Sequence, residues 1–180
     1  MSDQATQQDQ QDAAHSTSLP TSRRRAHLRR STNESTVEVE LNLDGSGESQ
    51  ISTGVRFYDH MLASLAKHSL IDLQIQATGD VDVDVHHTVE DVAIVLGDAF
   101  KEALGDKRGI SRFGDATVPL DDARVAEVVD VAGRPYFVHT GEPAGQASVI
   151  RGPNTVVSLT RQSMGRFGRH SVVDLRVRYR

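Results

Sequence analysis

The sequence predicts an α+β fold made of two duplicated β-β-α-β-α half-domains, the second of them incomplete. Three observations carry this prediction. Short stretches alternate apolar and polar residues, as half-buried strands do, and longer stretches between them follow the helical period. Residues 68–76 recur as residues 170–178, which indicates an internal repeat. The 180-residue chain is also the right length for one domain or for two small halves that share a core.

The first half begins with a clear strand. From Val37 to Leu43 every second residue is apolar, and Asp44-Gly45 then supplies turn chemistry before a second strand at 49–53. A helix follows, because three apolar residues recur every four positions and form its expected buried stripe: Phe57, Met61 and Leu65.

A third strand and a second helix complete this half. Residues 71–77 alternate again, and so do residues 80–85, which we interpret as an acidic strand with Asp80, Asp82 and Asp84 on its solvated face. A helical period starts at His86 and ends at Gly105, a typical C-cap residue.

The second half repeats the unit less clearly. Strands are predicted at 123–131 and 136–138, with a weak, glycine-broken helix at 159–168 and the repeated strand after it. The predicted organisation is therefore a disordered tail at 1–25, a first half at 26–113, and a truncated, degenerate second half at 114–180.

Composition restricts the function classes. The chain has no cysteine, so any metal must be bound by histidine and carboxylates. No apolar run reaches the ~18 residues of a membrane span, and the net charge of −5 argues against nucleic acid as a partner. We interpret the basic run Arg23–Arg30 as a solvated segment. A cytoplasmic protein is expected, with no membrane and no nucleic-acid partner.

The most informative stretch is His86-His87-Thr88-Val89-Glu90 at the start of the second helix. His86 and Glu90 are four residues apart and share a helix face, whereas His87 is displaced by about 100°. This geometry predicts two metals, one bound by His86 and Glu90 and the other by His87. Imidazole with carboxylate suits zinc, manganese, iron or nickel. A polar helix start with two solvated histidines is the simpler alternative.

Several separated motifs occur in an order that resembles the imidazoleglycerol-phosphate dehydratase family. They are Leu43-Asp44-Gly45, Phe57-Tyr58-Asp59-His60-Met61-Leu62, His68, Gly79-Asp80, the stretch His86–Ile94, Gly109-Ile110-Ser111-Arg112-Phe113 and Gly133-Arg134-Pro135-Tyr136. The resemblance runs from about His27 to about Glu142 and continues thinly to Arg180.

The resemblance implies a manganese-dependent lyase of histidine biosynthesis. Such an enzyme removes water from imidazole glycerol phosphate and gives imidazole acetol phosphate. The implied fold is a duplicated unit of the ribosomal protein S5 domain 2-like type, each half a four-stranded sheet backed by two helices. The implied assembly is a large homo-oligomer with active sites at subunit contacts, two manganese ions per site and a small phosphate as substrate.

The resemblance also implies a role for each motif residue. His60 and His87 would bind one manganese, and His86 with Glu90 the other. Glu90 and His68 are the candidates for proton transfer. The residues expected to contact substrate are Glu34, His60, His68, Arg112 and Arg134, the two arginines most naturally at the phosphate.

The second half departs from the family pattern. Gln162 stands where the repeat places a metal-binding histidine, and Arg180 precedes any second HHxxE. A missing final helix would expose Val173, Leu175 and Val177. An alternative function is therefore a non-catalytic truncated paralogue that acts only as a metal-binding or assembly subunit. A stand-alone HHxxE metallohydrolase is a weaker alternative, since no hydrolytic base or third ligand stands out.

Overall fold

The structure is a computed structural model that describes residues 24–121, 123–141 and 157–179. These residues form eight strands and three helices in two sheets. The elements are β1 (Arg25–Ser31), β2 (Ser35–Asn42), β3 (Ser49–Ser52), α1 (Arg56–Ser69), β4 (Asp72–Gly79), α2 (Val85–Leu104), β5 (Phe113–Leu120), β6 (Ala123–Asp130), β7 (Tyr136–Thr140), α3 (Val157–His170) and β8 (Asp174–Tyr179).

The two four-stranded sheets repeat one topology, which confirms the duplicated α+β fold. Their strand orders are β1-β2-β4-β3 and β5-β6-β8-β7. In each sheet the last pair is parallel and the others are antiparallel. Leu41 pairs with Leu73 in the first sheet, and Val129 pairs with Leu175 in the second. The repeated segments therefore occupy equivalent registers.

The sequence patterns missed the first strand of each sheet, β1 and β5. The basic run predicted to be solvated is largely β1, an edge strand that pairs with β2 along its whole length. Ala26 on this strand is buried, but the arginines around it obscure the alternation that would have marked a strand. Residues 1–23 of the predicted tail lie outside the described residues, and its last residue, Arg25, begins β1.

The predicted acidic strand at 80–85 is wrong. Residues 81–83 form a turn, in which the amides of Val83 and Asp84 donate to the Asp80 carbonyl at 2.8 and 3.1 Å. Val83 is 80% exposed. The alternation misled because its last carboxylate, Asp84, is the N-cap of α2 rather than part of a solvated strand face.

The predicted buried stripe of α1 is also wrong, by one residue. Leu62 and Ala66 are buried, whereas Met61 and Leu65 are 40% and 47% exposed. Phe57 is only partly buried. Both stripes have helical spacing, so the period alone could not decide which of them packs against the sheet.

The core of the first half lies between its sheet and α2. Val39, Leu73 and Val92 are completely buried there. Helix α2 also packs against α3 of the second half, so closely that a Cβ at Gly97 would lie 2.7 Å from the His170 Cβ. The ring of Phe100 meets that of Phe167 edge-on at 5.5 Å. Helix α2 therefore joins the two halves.

The second sheet is buried along β8 and exposed along parts of β5 and β6. Val173, Leu175 and Val177, expected to be exposed, are only 1–5% exposed, and Leu175 lies beside α3 at Gly168. Other large apolar residues of this sheet are exposed, among them Val118 on β5 at 61% and Val128 on β6 at 50%.

Glu127 lies on the helix-facing side of this second sheet. It pairs with Val177 as Val39 pairs with Ile75, so a carboxylate occupies the position that a buried valine occupies in the first sheet. Partial burial raises the pKa of the Glu127 carboxyl above its ordinary 4.5.

A Glu127→Gln variant should therefore be more stable than the parent at neutral pH. The raised pKa means that the folded state holds its proton more tightly, so the parent loses stability as pH rises through that pKa. Below the ordinary carboxyl pKa both forms are neutral, and the difference should vanish. Chemical denaturation from pH 4 to pH 8 measures it, and an equal difference at every pH would contradict the assignment.

Among the helices that the structure describes, none is long and apolar enough to cross a membrane.

Candidate active site

The first turns of the three helices meet at one end of the molecule. Their apolar residues form a small cluster of Val55, Val85, Val89 and Leu159, against which Tyr58 also packs. The Tyr58 hydroxyl is 2.9 Å from the Ser163 hydroxyl, and burial raises the pKa of Tyr58 to about 12. The HHxxE motif on α2, His60 on α1 and Gln162 on α3 all lie near these helix starts.

Asp84 fixes the start of α2 and the first histidine of the motif. Its Oδ1 accepts a hydrogen bond from the His86 amide at 2.9 Å and lies 2.6 Å from the His86 Nδ1. Both bonds lower the pKa of the Asp84 carboxyl, and the bond from the His86 amide has the larger effect. With Nδ1 against Asp84, the Nε2 of His86 is the ring nitrogen left for a further ligand.

Close packing behind the motif requires a glycine. Thr88 is fully buried, and a Cβ at Gly79 would lie 2.4 Å from its hydroxyl. Within the described part of the chain this hydroxyl has no hydrogen-bond partner. Gly79 therefore allows the end of β4 to approach the first turn of α2, which accounts for the glycine of the Gly79-Asp80 motif.

The other two motif residues have partners from different halves. The His87 Nδ1 is 3.6 Å from the Glu34 Oε2, on the loop between β1 and β2. The Glu90 Oε2 accepts a hydrogen bond of 2.8 Å from Arg166 on α3. The structure thus places Glu34 beside the motif and adds Arg166, which the sequence did not single out.

His60 and His68 are not brought together. Both are exposed on α1, and eight residues of helix separate them by about 12 Å along the axis. His60 lies in the early part of the helix, at the motif end of the molecule. His68 lies in the last turn, so within one chain its predicted role beside the motif has no geometric support.

Arg112 pairs with one carboxylate of the second half, Asp130, and Arg134 lies in the same region. Arg112 Nε and Nη2 donate to Asp130 at 2.7 and 3.0 Å, and this pairing raises the pKa of Arg112. Arg112 chiefly, and Arg134 and Arg176 more weakly, lower the pKa of Asp130. Arg134 and Arg176 also line a pocket of about 340 Å³ with Asp130 and Tyr136.

A second pocket connects this region with the motif. It encloses about 710 Å³ and is lined by Glu90, by Gln162 and Arg166 of α3, and by Pro135 and Tyr136. The last two residues also line the pocket of Arg134. Glu90 and the predicted phosphate-binding arginine therefore border adjoining cavities.

The residue types of the motif fit a transition metal, but a single chain supplies them only in pairs. Over residues 24–121, 123–141 and 157–179, no three histidine or carboxylate side chains gather in a way that could hold a metal ion. His86 and Glu90 share one helix face, and His87 faces Glu34. Further ligands would have to come from outside the described residues of this chain, and the metal site stays a prediction.

Two residues at the site were missed by the sequence interpretation. Asp84 carried a usable signal, because an aspartate one residue before a helical stretch is a typical N-cap. Arg166 carried none, since its contact with Glu90 joins residues 76 positions apart on two helices.

Comparisons with known proteins agree with this architecture. A sequence profile of the family described as imidazoleglycerol-phosphate dehydratase matches residues 53–180. The enzyme of that name from Renibacterium salmoninarum is 58% identical over 157 residues, which cover 87% of this chain and 78% of the relative. That of Kineococcus radiotolerans is 59% identical over 155 residues, 86% of this chain and 78% of the relative.

Solved structures of the same enzyme show the same fold. The crystal structure from Staphylococcus aureus superposes with a TM-score of 0.72 at 27% identity, over 85% of this chain and 82% of that one. The structure from Pyrococcus furiosus gives 0.68 at 31% identity, over 84% and 78%. The profile, the relatives and the fold converge, and the chain belongs to the imidazoleglycerol-phosphate dehydratase family.

Proposed function

We propose that this chain dehydrates imidazole glycerol phosphate to imidazole acetol phosphate in histidine biosynthesis, with manganese, in the cytoplasm. The observation that carries the proposal is the HHxxE motif at the capped start of α2, in a chain 58% identical to enzymes named for this substrate. The half-buried imidazole of His86, the exposed imidazole of His87 and Glu90 lie at the end where the three helices meet.

Manganese would be held by His86 with Glu90 and by His87 with His60. When bound, it would act as a Lewis acid on the imidazole ring and stabilise the negative charge that develops there. The chain's own contribution is to orient these ligands. Asp84 sets the ring of His86 through Nδ1, as carboxylates beside metal-binding histidines do.

The remaining residues would bind the substrate and move protons. Arg134 and Arg112 offer planar guanidinium groups that suit a phosphate, and Asp130 orients Arg112 through two hydrogen bonds. Glu90 borders the large pocket and is the better placed of the two proton-transfer candidates. His68, at the far end of α1, could act only in a site formed with a neighbouring subunit.

Incomplete ligand sets support an assembled enzyme. Since one chain supplies the metal ligands in pairs, we infer a homo-oligomer in which a second copy completes each site. The exposed apolar residues of α1, Met61 and Leu65, lie on the helix that carries both His60 and His68 and offer a surface for such a contact.

The testing experiment is an assay of the purified chain with imidazole glycerol phosphate, with manganese and after chelation. We expect ketone product only with manganese, from an oligomer identified by light scattering. Product formation that survives chelation would contradict the metal assignment. Folded protein without turnover would contradict the enzymatic proposal.

A non-catalytic metal-binding or assembly subunit is the second candidate. Two observations favour it: Gln162 lines the large pocket where the family resemblance implies an imidazole, and Arg166 already pairs with Glu90 there. An amide binds a transition metal poorly. This candidate predicts no turnover alone, and incorporation into oligomers of a complete homologue when the two are mixed.

A further inference from the structure

The loop that presents Glu34 is held rigidly by its own hydrogen bonds. The Thr32 amide donates to the Ser35 carbonyl at 2.8 Å. The Thr32 hydroxyl accepts from the amides of Glu34 and Ser35 at 3.2 and 3.0 Å. The backbone on both sides of Glu34 is therefore fixed within the hairpin between β1 and β2.

A buried carboxylate, that of Asp91, connects this loop to α2. Its Oδ2 accepts from the Ser35 hydroxyl at 2.5 Å and lies 3.5 Å from the Thr32 hydroxyl. Its Oδ1 pairs with the guanidinium of Arg30. The Asp91 side chain is only 12% exposed. A buried carboxylate with several donors is a firm anchor, because losing any of them would leave charge unpaired.

The Asp91 anchor lies next to the candidate site on α2. Asp91 and His87 are four residues apart and lie on the same face of α2. Their partners Ser35 and Glu34 are neighbours on the loop. Two parallel contacts therefore join loop and helix: Ser35 to Asp91, which is buried, and Glu34 to His87 at 3.6 Å, which is exposed. An exposed ion pair of this kind contributes little free energy, so the Glu34–His87 contact does not by itself keep the two side chains in place.

We propose that Asp91 is a positioning residue that keeps the Glu34 carboxylate against His87 through Ser35 and Thr32. The inference rests on the proposed function, in which His87 binds metal and Glu34 approaches the substrate. Asp91 faces the loop, away from the Glu90 pocket, and needs no contact with substrate for this role.

A double-mutant cycle tests the proposal. Asp91→Asn and Ser35→Ala are measured alone and combined with Glu34→Gln, in the full chain with manganese. We expect each single variant to lower kcat about 10-fold or more with a smaller change in KM. In the Glu34→Gln background the same substitutions should have little further effect on kcat. Asp98→Asn is the matched control, since Asp98 on the same helix pairs with His170 away from the loop, and its kcat should not change.

Hydrogen exchange separates this proposal from the proposed function. Asp91→Asn and Ser35→Ala should speed amide exchange at residues 32–35, and Asp98→Asn should not. This readout does not require turnover, so an inactive parent would sink the proposed function and leave the positioning role testable. Unchanged exchange in the loop would overturn the proposal. So would an Asp91→Asn loss of kcat that is equally large without the Glu34 carboxylate, because Asp91 would then act through another residue.

Discussion

Replacing His87 by alanine is expected to abolish manganese-dependent turnover while the fold is retained. The imidazole is about half exposed and contacts only the Glu34 carboxylate among the ion pairs of the described chain. Its loss costs little packing. Removing a proposed metal ligand should lower activity more than removing a residue that only orients a ligand. We therefore expect kcat/KM to fall roughly 100-fold or more.

Three measurements make this expectation decisive. Turnover, bound manganese per chain and thermal unfolding should be compared with those of His27→Ala. His27 is a similarly exposed histidine whose Nε2 lies 2.7 Å from Glu38 on the first sheet. The control should match the parent in all three. If His87→Ala kept both its manganese and its rate, His87 would not be a ligand.

Replacing Val39 by glutamate should unfold the first half. Val39 is 0% exposed between the first sheet and α2, within a cluster of buried apolar residues. Burying a carboxylate there without a partner costs roughly 4 kcal/mol or more, a large share of the 5–15 kcal/mol that stabilises a typical domain. Circular dichroism and chemical denaturation measure the loss.

The native residue Glu127 is a useful comparison for Val39→Glu. Glu127 occupies the equivalent register position in the second sheet, where it is only partly buried. Val39→Leu tests packing alone and should cost far less, since a volume change is tolerated better than a buried charge. A folded Val39→Glu protein of nearly normal stability would show that the first core is more open than the structure indicates.

The sequence predicted the parts of the fold that depend on local periodicity or on repetition. Strands β2 and β4 were predicted correctly because one face of each is buried, which gives a clear alternation of apolar and polar residues. Strand β8 was predicted from the repeat of residues 68–76. The face shared by His86 and Glu90 follows from helix geometry alone, so this half of the candidate site was predictable without a structure.

Other elements depended on information that periodicity does not contain. In β1 the inward positions include an arginine, Arg30, whose partner Asp91 is 61 residues away. The stripe of α1 that packs inward was decided by the sheet it rests on. Contacts such as Arg166 with Glu90, or Arg112 with Asp130, require knowing which elements are neighbours in space, and no spacing in the sequence reports that.

Helix α2 has a consequence for motion. Its first turns carry the motif, and three turns later Gly97 allows the backbone of α3 to approach closely. Arg166 on α3 donates to Glu90 near the start of α2. A shift of α3 relative to α2 would therefore move the group that pairs with Glu90, so the orientation of this carboxylate depends on how the two helices pack.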